Sequence, residues 1–131
     1  MNTLIVEDDF TSRLLLQGLL KGYGPSYFAE NGKEAVDAVR IALEEDEPFN
    51  LICMDIMMPE MDGQEALRRI RDIEKTYRVA PALRVKVIMT TALADRDNVI
   101  RAAQSECDYF LVKPVEKNKL VKVLRTLKLI P

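Results

Sequence analysis

Asp55 stands at the end of four apolar residues, Leu51 to Met54, and Pro59 and Gly63 turn the chain soon after it. An apolar run of that length, bounded by turn residues, reads as a strand buried on both faces. A carboxylate at the tip of such a strand is costly unless a positive group meets it. Two other stretches offer one. Glu7-Asp8-Asp9 follows the apolar run Leu4-Ile5-Val6 and supplies the hard oxygens that a metal takes, and Lys113 follows Phe110-Leu111-Val112. Thr90 and Thr91 bring hydroxyls to the end of a further run, Val85 to Met89. Carboxylates brought together from two strands repel and raise each other's pKa. A divalent cation removes that cost, and magnesium favours one or two carboxylates with waters and a phosphate.

Each of these features also has an ordinary reading. An acidic triplet after a strand is often an N-cap and a solvated turn, a lysine beside a proline is often a surface ammonium, and threonines commonly cap or turn. Their recurrence at successive strand ends favours a shared site in which Lys113 pairs with Asp55. The chain contains no histidine, which removes Ser-His-Asp, Cys-His and phosphohistidine chemistry on this chain. Cys53 and Cys107 lack CxxC spacing and read as buried free thiols.

The elements that must position these groups follow from periodicity. Phe10 to Lys21 turns helical, with Leu15, Leu16, Leu19 and Leu20 on an inward stripe, until Gly22, Gly24 and Pro25 break it. Tyr27-Phe28-Ala29 is a second strand and Asn31-Gly32 a turn. Ala35, Val36, Val39, Ala42 and Leu43 trace a second helix ending in Glu44-Glu45-Asp46-Glu47-Pro48, an acidic run read as a solvated helix end. Gln64 to Tyr77 is a third helix with Leu67 and Ile70 inward, and Arg78 to Arg84 a loop. Asp95 caps a fourth helix through Val99, Ile100 and Ala103. Leu120, Val121, Leu124 and Leu127 mark the last helix, and Lys113-Pro114 is a candidate cis bond. Five repeats of strand then helix predict an α/β fold, a doubly wound parallel sheet with helices on both faces. Right-handed crossovers bring all five strand ends to one edge.

With 131 residues the chain is expected to form one domain. A net charge of −2 argues against a generic nucleic-acid binder. No run approaches the roughly 20 apolar residues of a membrane span. Met1-Asn2-Thr3 leads straight into a strand without a basic-apolar leader, so a cytoplasmic location is expected.

Taken together, Val6-Glu7-Asp8-Asp9, Met54-Asp55 through Asp62-Gly63, Thr91-Ala92 and Lys113-Pro114 resemble the receiver domain of two-component response regulators along essentially the whole chain. The resemblance implies a flavodoxin-like sheet of five strands in the order 2-1-3-4-5 with five helices, a receiver domain over 1–131 with no output domain. It implies that Asp55 accepts a phosphoryl group from a sensor histidine kinase or a histidine phosphotransfer protein. Asp8, Asp55 and the Met57 backbone carbonyl would then ligate Mg²⁺ (or Mn²⁺), with Glu7 acting through a water. Lys113 would hold one phosphoryl oxygen and Thr91 another, and Thr91 with Phe110, beside Tyr109, would form the switch. The chain would be a phosphoacceptor assisting its own phosphorylation and dephosphorylation rather than an enzyme. It would signal through an unknown downstream protein, as a monomer or a phosphorylation-linked dimer.

Three departures from the family pattern stand out. Ser105-Glu106-Cys107-Asp108 replaces the usual glycine turn, and the Arg78–Arg84 loop is long and reads as a solvated insertion. Met57 and Leu93 put apolar flanks two residues beyond Asp55 and Thr91, which is expected to hinder in-line water and prolong the phosphorylated state. Other classes fit less well. A Mg²⁺-dependent phosphohydrolase wants an aspartate where Met57 stands, and a pseudo-receiver should lack part of the acidic, hydroxyl and lysine set. Lys117, Lys119, Lys122, Arg125 and Lys128 on the last helix read as solubilising charge rather than a DNA contact.

Overall fold

The computed structural model describes residues 1–58, 61–92 and 107–131. Five parallel strands form one sheet in the order β2-β1-β3-β4-β5: β1 Thr3–Val6, β2 Ser26–Ala29, β3 Leu51–Asp55, β4 Lys86–Ala92 and β5 Tyr109–Lys113. Helices α1 Phe10–Leu20, α2 Gly32–Glu44, α3 Gly63–Thr76 and a C-terminal helix Lys117–Thr126 cover it, with short 3₁₀ turns at Lys21–Tyr23 and Pro81–Leu83. The expected fourth helix around Asp95, with Leu93, Ser105 and Glu106, lies outside the described residues, as do Pro59 and Glu60. Among the described residues no helix is long and apolar enough to cross a membrane.

Alternation along the strands builds two cores. Val6, Ile52, Met54 and Met89 pack with α2 and α3 residues such as Val39 and Ile70 on one face. Ile5, Cys53, Ile88 and Leu111 pack with Leu16, Leu20, Leu120 and Leu124 on the other. The central strands β1 and β3 are buried at every position, which is why they read as unbroken apolar blocks. β2 is an edge strand, so Tyr27 and Phe28 stay exposed.

Several expectations are corrected here. Leu15 is 44% exposed, because the buried stripe of α1 is the one-turn pair Leu16 and Leu20, and Leu15 lies about 100° round the helix from Leu16. Asn31-Gly32 is no free turn: Asn31 caps α2, its side chain accepting from Glu34 N at 2.8 Å, and Gly32 is already helical. In the C-terminal helix Val123 is buried and Val121 only partly so. Cys53 is fully buried and burial pushes its thiol up to about 12, whereas Cys107 is only half-buried. The Lys113–Pro114 bond is cis.

The Asp108 departure has a structural explanation. Arg71 and Glu74 are buried on α3 and paired at 2.7 Å. Arg71 also donates to the Val85 carbonyl at 2.8 Å and to Asp108 Oδ2 at 3.3 Å. Glu74 accepts from Val85 N, and Asp108 from Val87 N, both at 2.8 Å. The network satisfies backbone groups at the start of β4 and ties α3 to the entry of β5.

Candidate functional site

The site follows from strand alternation. Two residues beyond the one-face set Ile5, Cys53, Ile88 and Leu111 come Glu7, Asp55, Thr90 and Lys113. Side chains of one strand return to the same face every second residue, so one sheet face is apolar in its body and charged at its carboxyl edge. Register fixes the neighbours: Asp55 pairs with Thr90, and Ala92 with Lys113.

Lys113 Nζ donates to Glu7 Oε2 at 2.8 Å and lies 3.3 Å from Asp55 Oδ2. The expected Lys113–Asp55 pair is therefore present, and the closer contact is with Glu7, a partnership that sequence reasoning missed. Its only sequence signal was an acidic residue one step past a buried strand. Asp55 Oδ1 accepts from Met57 N at 3.3 Å, which holds the Met57 main chain against the carboxylate. Glu7 Oε1 accepts from Asp9 N at 3.2 Å.

The acidic triplet divides its labour. Asp9 is the N-cap of α1, its carboxylate accepting from Ser12 N at 3.0 Å and Ser12 Oγ at 2.7 Å. These bonds hold the Asp9 carboxyl below its ordinary pKa. Glu7 and Asp8 remain for the site: one carboxylate oxygen from each of Glu7, Asp8 and Asp55 lies within 4.8 Å of the others. Glu7 and Asp55 are buried while Asp8 is exposed. An all-oxygen donor set, with two buried anions and one solvent-facing ligand, fits a hard divalent cation such as Mg²⁺.

Burial raises the pKa of both Glu7 and Asp55. Desolvation outweighs the other causes, so mutual repulsion of carboxylates is the smaller reason for Glu7. Burial disfavours the Lys113 ammonium, but its hydrogen bond to Glu7 and the field of Asp55 more than compensate and raise its pKa. The triad is an ammonium shared by two carboxylates.

The two threonines fall on opposite faces. Thr90 shares the Asp55 face, is 1% exposed, and its hydroxyl has no hydrogen-bond partner among the described residues. Thr91 continues the Met89 face, and its hydroxyl makes a long 3.4 Å bond to the neighbouring Ala92 carbonyl. Phe110 pairs in register with Met89, is half-buried against the same core as Met89, and stacks at a tilt on Tyr109 with centroids 6.3 Å apart. Gly63 closes the loop after Asp55. Its N–H donates to Ile56 O at 2.9 Å, and a Cβ there would meet the Asp55 carbonyl at 2.5 Å.

Comparison with known proteins gives this arrangement a context. A family model described as the response regulator receiver domain matches residues 3–125. The chain is 37% identical over 132 residues to the two-component response regulator ORR41 of Oryza sativa subsp. japonica, covering 98% of this chain and 95% of that one. Other relatives are far longer: the chain spans 12% of the probable histidine kinase 2 of Oryza sativa subsp. indica, at 32% identity. Among solved structures it is similar to the receiver domain of the histidine kinase CKI1 from Arabidopsis thaliana complexed with Mg²⁺. There the TM-score is 0.83 and the identity 34%, with 96% of this chain and 90% of that chain covered. It is also similar to a chain of the co-crystal structure of the Saccharomyces cerevisiae histidine phosphotransfer signaling protein Ypd1 and the receiver domain of its downstream response regulator Ssk1. The TM-score is 0.77 and the identity 30%, covering 99% and 92%.

Proposed function

We infer the function of this chain from its family: it belongs to the response regulator receiver domain family. We propose that it is a Mg²⁺-dependent phosphoacceptor in phosphorelay signalling and that Asp55 receives the phosphoryl group. The observation that carries the proposal is the cluster at the carboxyl edge. Lys113 Nζ bridges Glu7 and Asp55, and Glu7, Asp8 and Asp55 offer oxygens within 4.8 Å of one another.

These 131 residues contain no histidine, so the phosphohistidine lies outside them, on a histidine kinase or a histidine phosphotransfer protein. In transfer, an Asp55 oxygen bonds to phosphorus while the P–N bond breaks and its electron pair returns to the imidazole. Such a displacement is mostly positioning and charge neutralisation. Lys113, already at the Asp55 carboxylate, neutralises the oxygens of the arriving group. The Met57 N–H fixes the orientation of the nucleophile. Asp8 and Asp55, with the Met57 carbonyl and with Glu7 through water, would hold Mg²⁺ (or Mn²⁺), which when bound supplies Lewis-acid charge at the phosphoryl oxygens.

Thr91 is the hydroxyl assigned to the phosphoryl group. Its present bond, a long one to Ala92 O, costs little to break. Inward movement of Thr91 would vacate space on the face where Phe110 packs, so a local charge change biases a two-state surface. Met57 occupies the position where a phosphohydrolase would carry its acid, which favours a signalling acceptor over a multiple-turnover enzyme. Residues 1–131 act in this reading as one receiver unit.

The test is transfer from a phosphorylated histidine phosphotransfer protein in the presence of Mg²⁺. Label should move to this chain, and Asp55→Ala should leave it on the donor. Transfer to the alanine variant at the normal rate would refute the assignment.

A further inference from the structure

Gly32 is the first residue of α2, buried and just past the carboxyl end of β2. A Cβ there would lie 2.7 Å from the Met61 carbonyl oxygen and 3.1 Å from the Cβ atoms of Met61 and Ala66. The start of α2 and the loop after Asp55 therefore meet main chain to main chain, in a gap that admits no side chain. Gly63, two residues after Met61, makes a matching contact further along. Its own Cβ would meet the Asp55 carbonyl, and its N–H donates to Ile56 O at 2.9 Å. A push at Met61 thus has a short route, through Asp62 and Gly63, to the main chain of Asp55 and Ile56.

The two sides of the gap differ in what holds them and what they carry. On the α2 side, Asn31 Oδ1 accepts from Glu34 N at 2.8 Å and Glu34 Oε1 accepts from Glu30 N at 3.2 Å, which ties down the start of the helix. Ala35 and Val36 anchor it in the core. The loop side carries the groups that phosphoryl transfer needs, with Met57 N–H on Asp55 Oδ1 at 3.3 Å. Close-packed interiors pass such displacements on rather than absorb them. Gly18, exposed on α1, and Gly22 are different: a Cβ at either would meet nothing within 4 Å.

We propose that Gly32 is a positioning residue for the phosphoacceptor, a role that rests on Asp55 being that acceptor. Its bare Cα lets α2 seat the loop at Met61, and so fixes the main chain from Asp55 to Met57 from an element outside the charged cluster.

Gly18→Ala with Gly22→Ala gives a background in which two open glycines are replaced at a gain in stability. Gly32→Ala is then made in that background, with the full chain. Without metal, it should speed hydrogen exchange at the Gly63 N–H by about tenfold and leave the amides of β1 unchanged. With Mg²⁺ and acetyl phosphate, the background should be phosphorylated at the wild-type rate and the Gly32→Ala chain about tenfold more slowly. Its melting curve should stay cooperative. Unchanged exchange at Gly63, an equal rise across β1, loss of folding, or an undiminished phosphorylation rate would overturn the proposal. A background and wild type that both take no phosphoryl group would instead contradict the role of Asp55, and exchange at Gly63 would still decide whether Gly32 seats the loop.

Discussion

Lys113 Nζ sits 2.8 Å from Glu7 Oε2, a contact across 106 residues of sequence that locks the last strand to the first at the carboxyl edge. Glu7 is almost wholly buried, while the Lys113 side chain keeps 26% of its exposure. Removing the ammonium therefore strands a carboxylate, although solvent reaches the vacated side. Lys113→Met should lower stability by about 2 kcal/mol, less than the roughly 3–5 kcal/mol of a fully buried broken pair. The same variant should bind Mg²⁺ more tightly, because three carboxylates then lack their counter-charge. Urea unfolding and calorimetric Mg²⁺ titration read the two effects.

The titration of the site has a defined sign. Glu7 and Asp55 have raised pKa values in the folded chain, so between their ordinary values and the raised ones the folded state holds more protons than the unfolded. Stability from these two groups therefore falls as pH rises through that window. Lys113 is also raised, and its contribution is fully present below its ordinary 10.5 and lost as pH rises through the folded value. Protons and the cation compete for the same oxygens, so Mg²⁺ affinity should weaken as pH drops through the raised carboxylate values. Melting curves without metal and Mg²⁺ titrations, each over a pH series, check both slopes.

The Arg71 network predicts a large cost far from the phosphoryl site. Arg71→Ala leaves Glu74 buried and unpaired and removes the donor to Val85 O, and should destabilise by roughly 3–5 kcal/mol. Arg71→Lys should recover only part, since one ammonium does not reproduce the planar fork that reaches Glu74, Val85 and Asp108 together. Denaturant midpoints of the two variants decide this.

Met57, in the turn after Asp55, is 60% exposed. An apolar group there is expected to hinder an attacking water. Met57→Asn should shorten the lifetime of the phosphorylated chain by about tenfold, or ~1.4 kcal/mol of barrier. Loss of label from the purified phosphoprotein over time gives the rate.

The buried strands were the most legible part of the chain. Leu4 to Val6, Leu51 to Met54 and Val87 to Met89 are buried at every position and read as such in sequence. Their alternation, together with β5 and the strand order that the resemblance implies, brings Glu7, Asp55 and Lys113 to one edge. What sequence hid was pairing. Lys113 had two carboxylates within reach, and only register and side-chain reach show that Glu7 is the nearer. Arg71 and Glu74 fall on the inward stripe of Leu67 and Ile70, and that unexpected charge on an apolar face was the visible sign of the network holding Asp108. Leu15 misled because three consecutive leucines, Leu14 to Leu16, span some 200° of helix and only one can face the core. Thr90 and Thr91 are alike in sequence, and the parity of β4 separates them.

The most direct measurement is intact mass after incubation with Mg²⁺ and a small phosphodonor such as acetyl phosphate. The wild-type chain should gain one phosphoryl group, and should not gain it when the metal is chelated, while Asp55→Ala should gain none. A chain left unmodified in the presence of metal, or an alanine variant that gains the group as readily as wild type, would contradict the account.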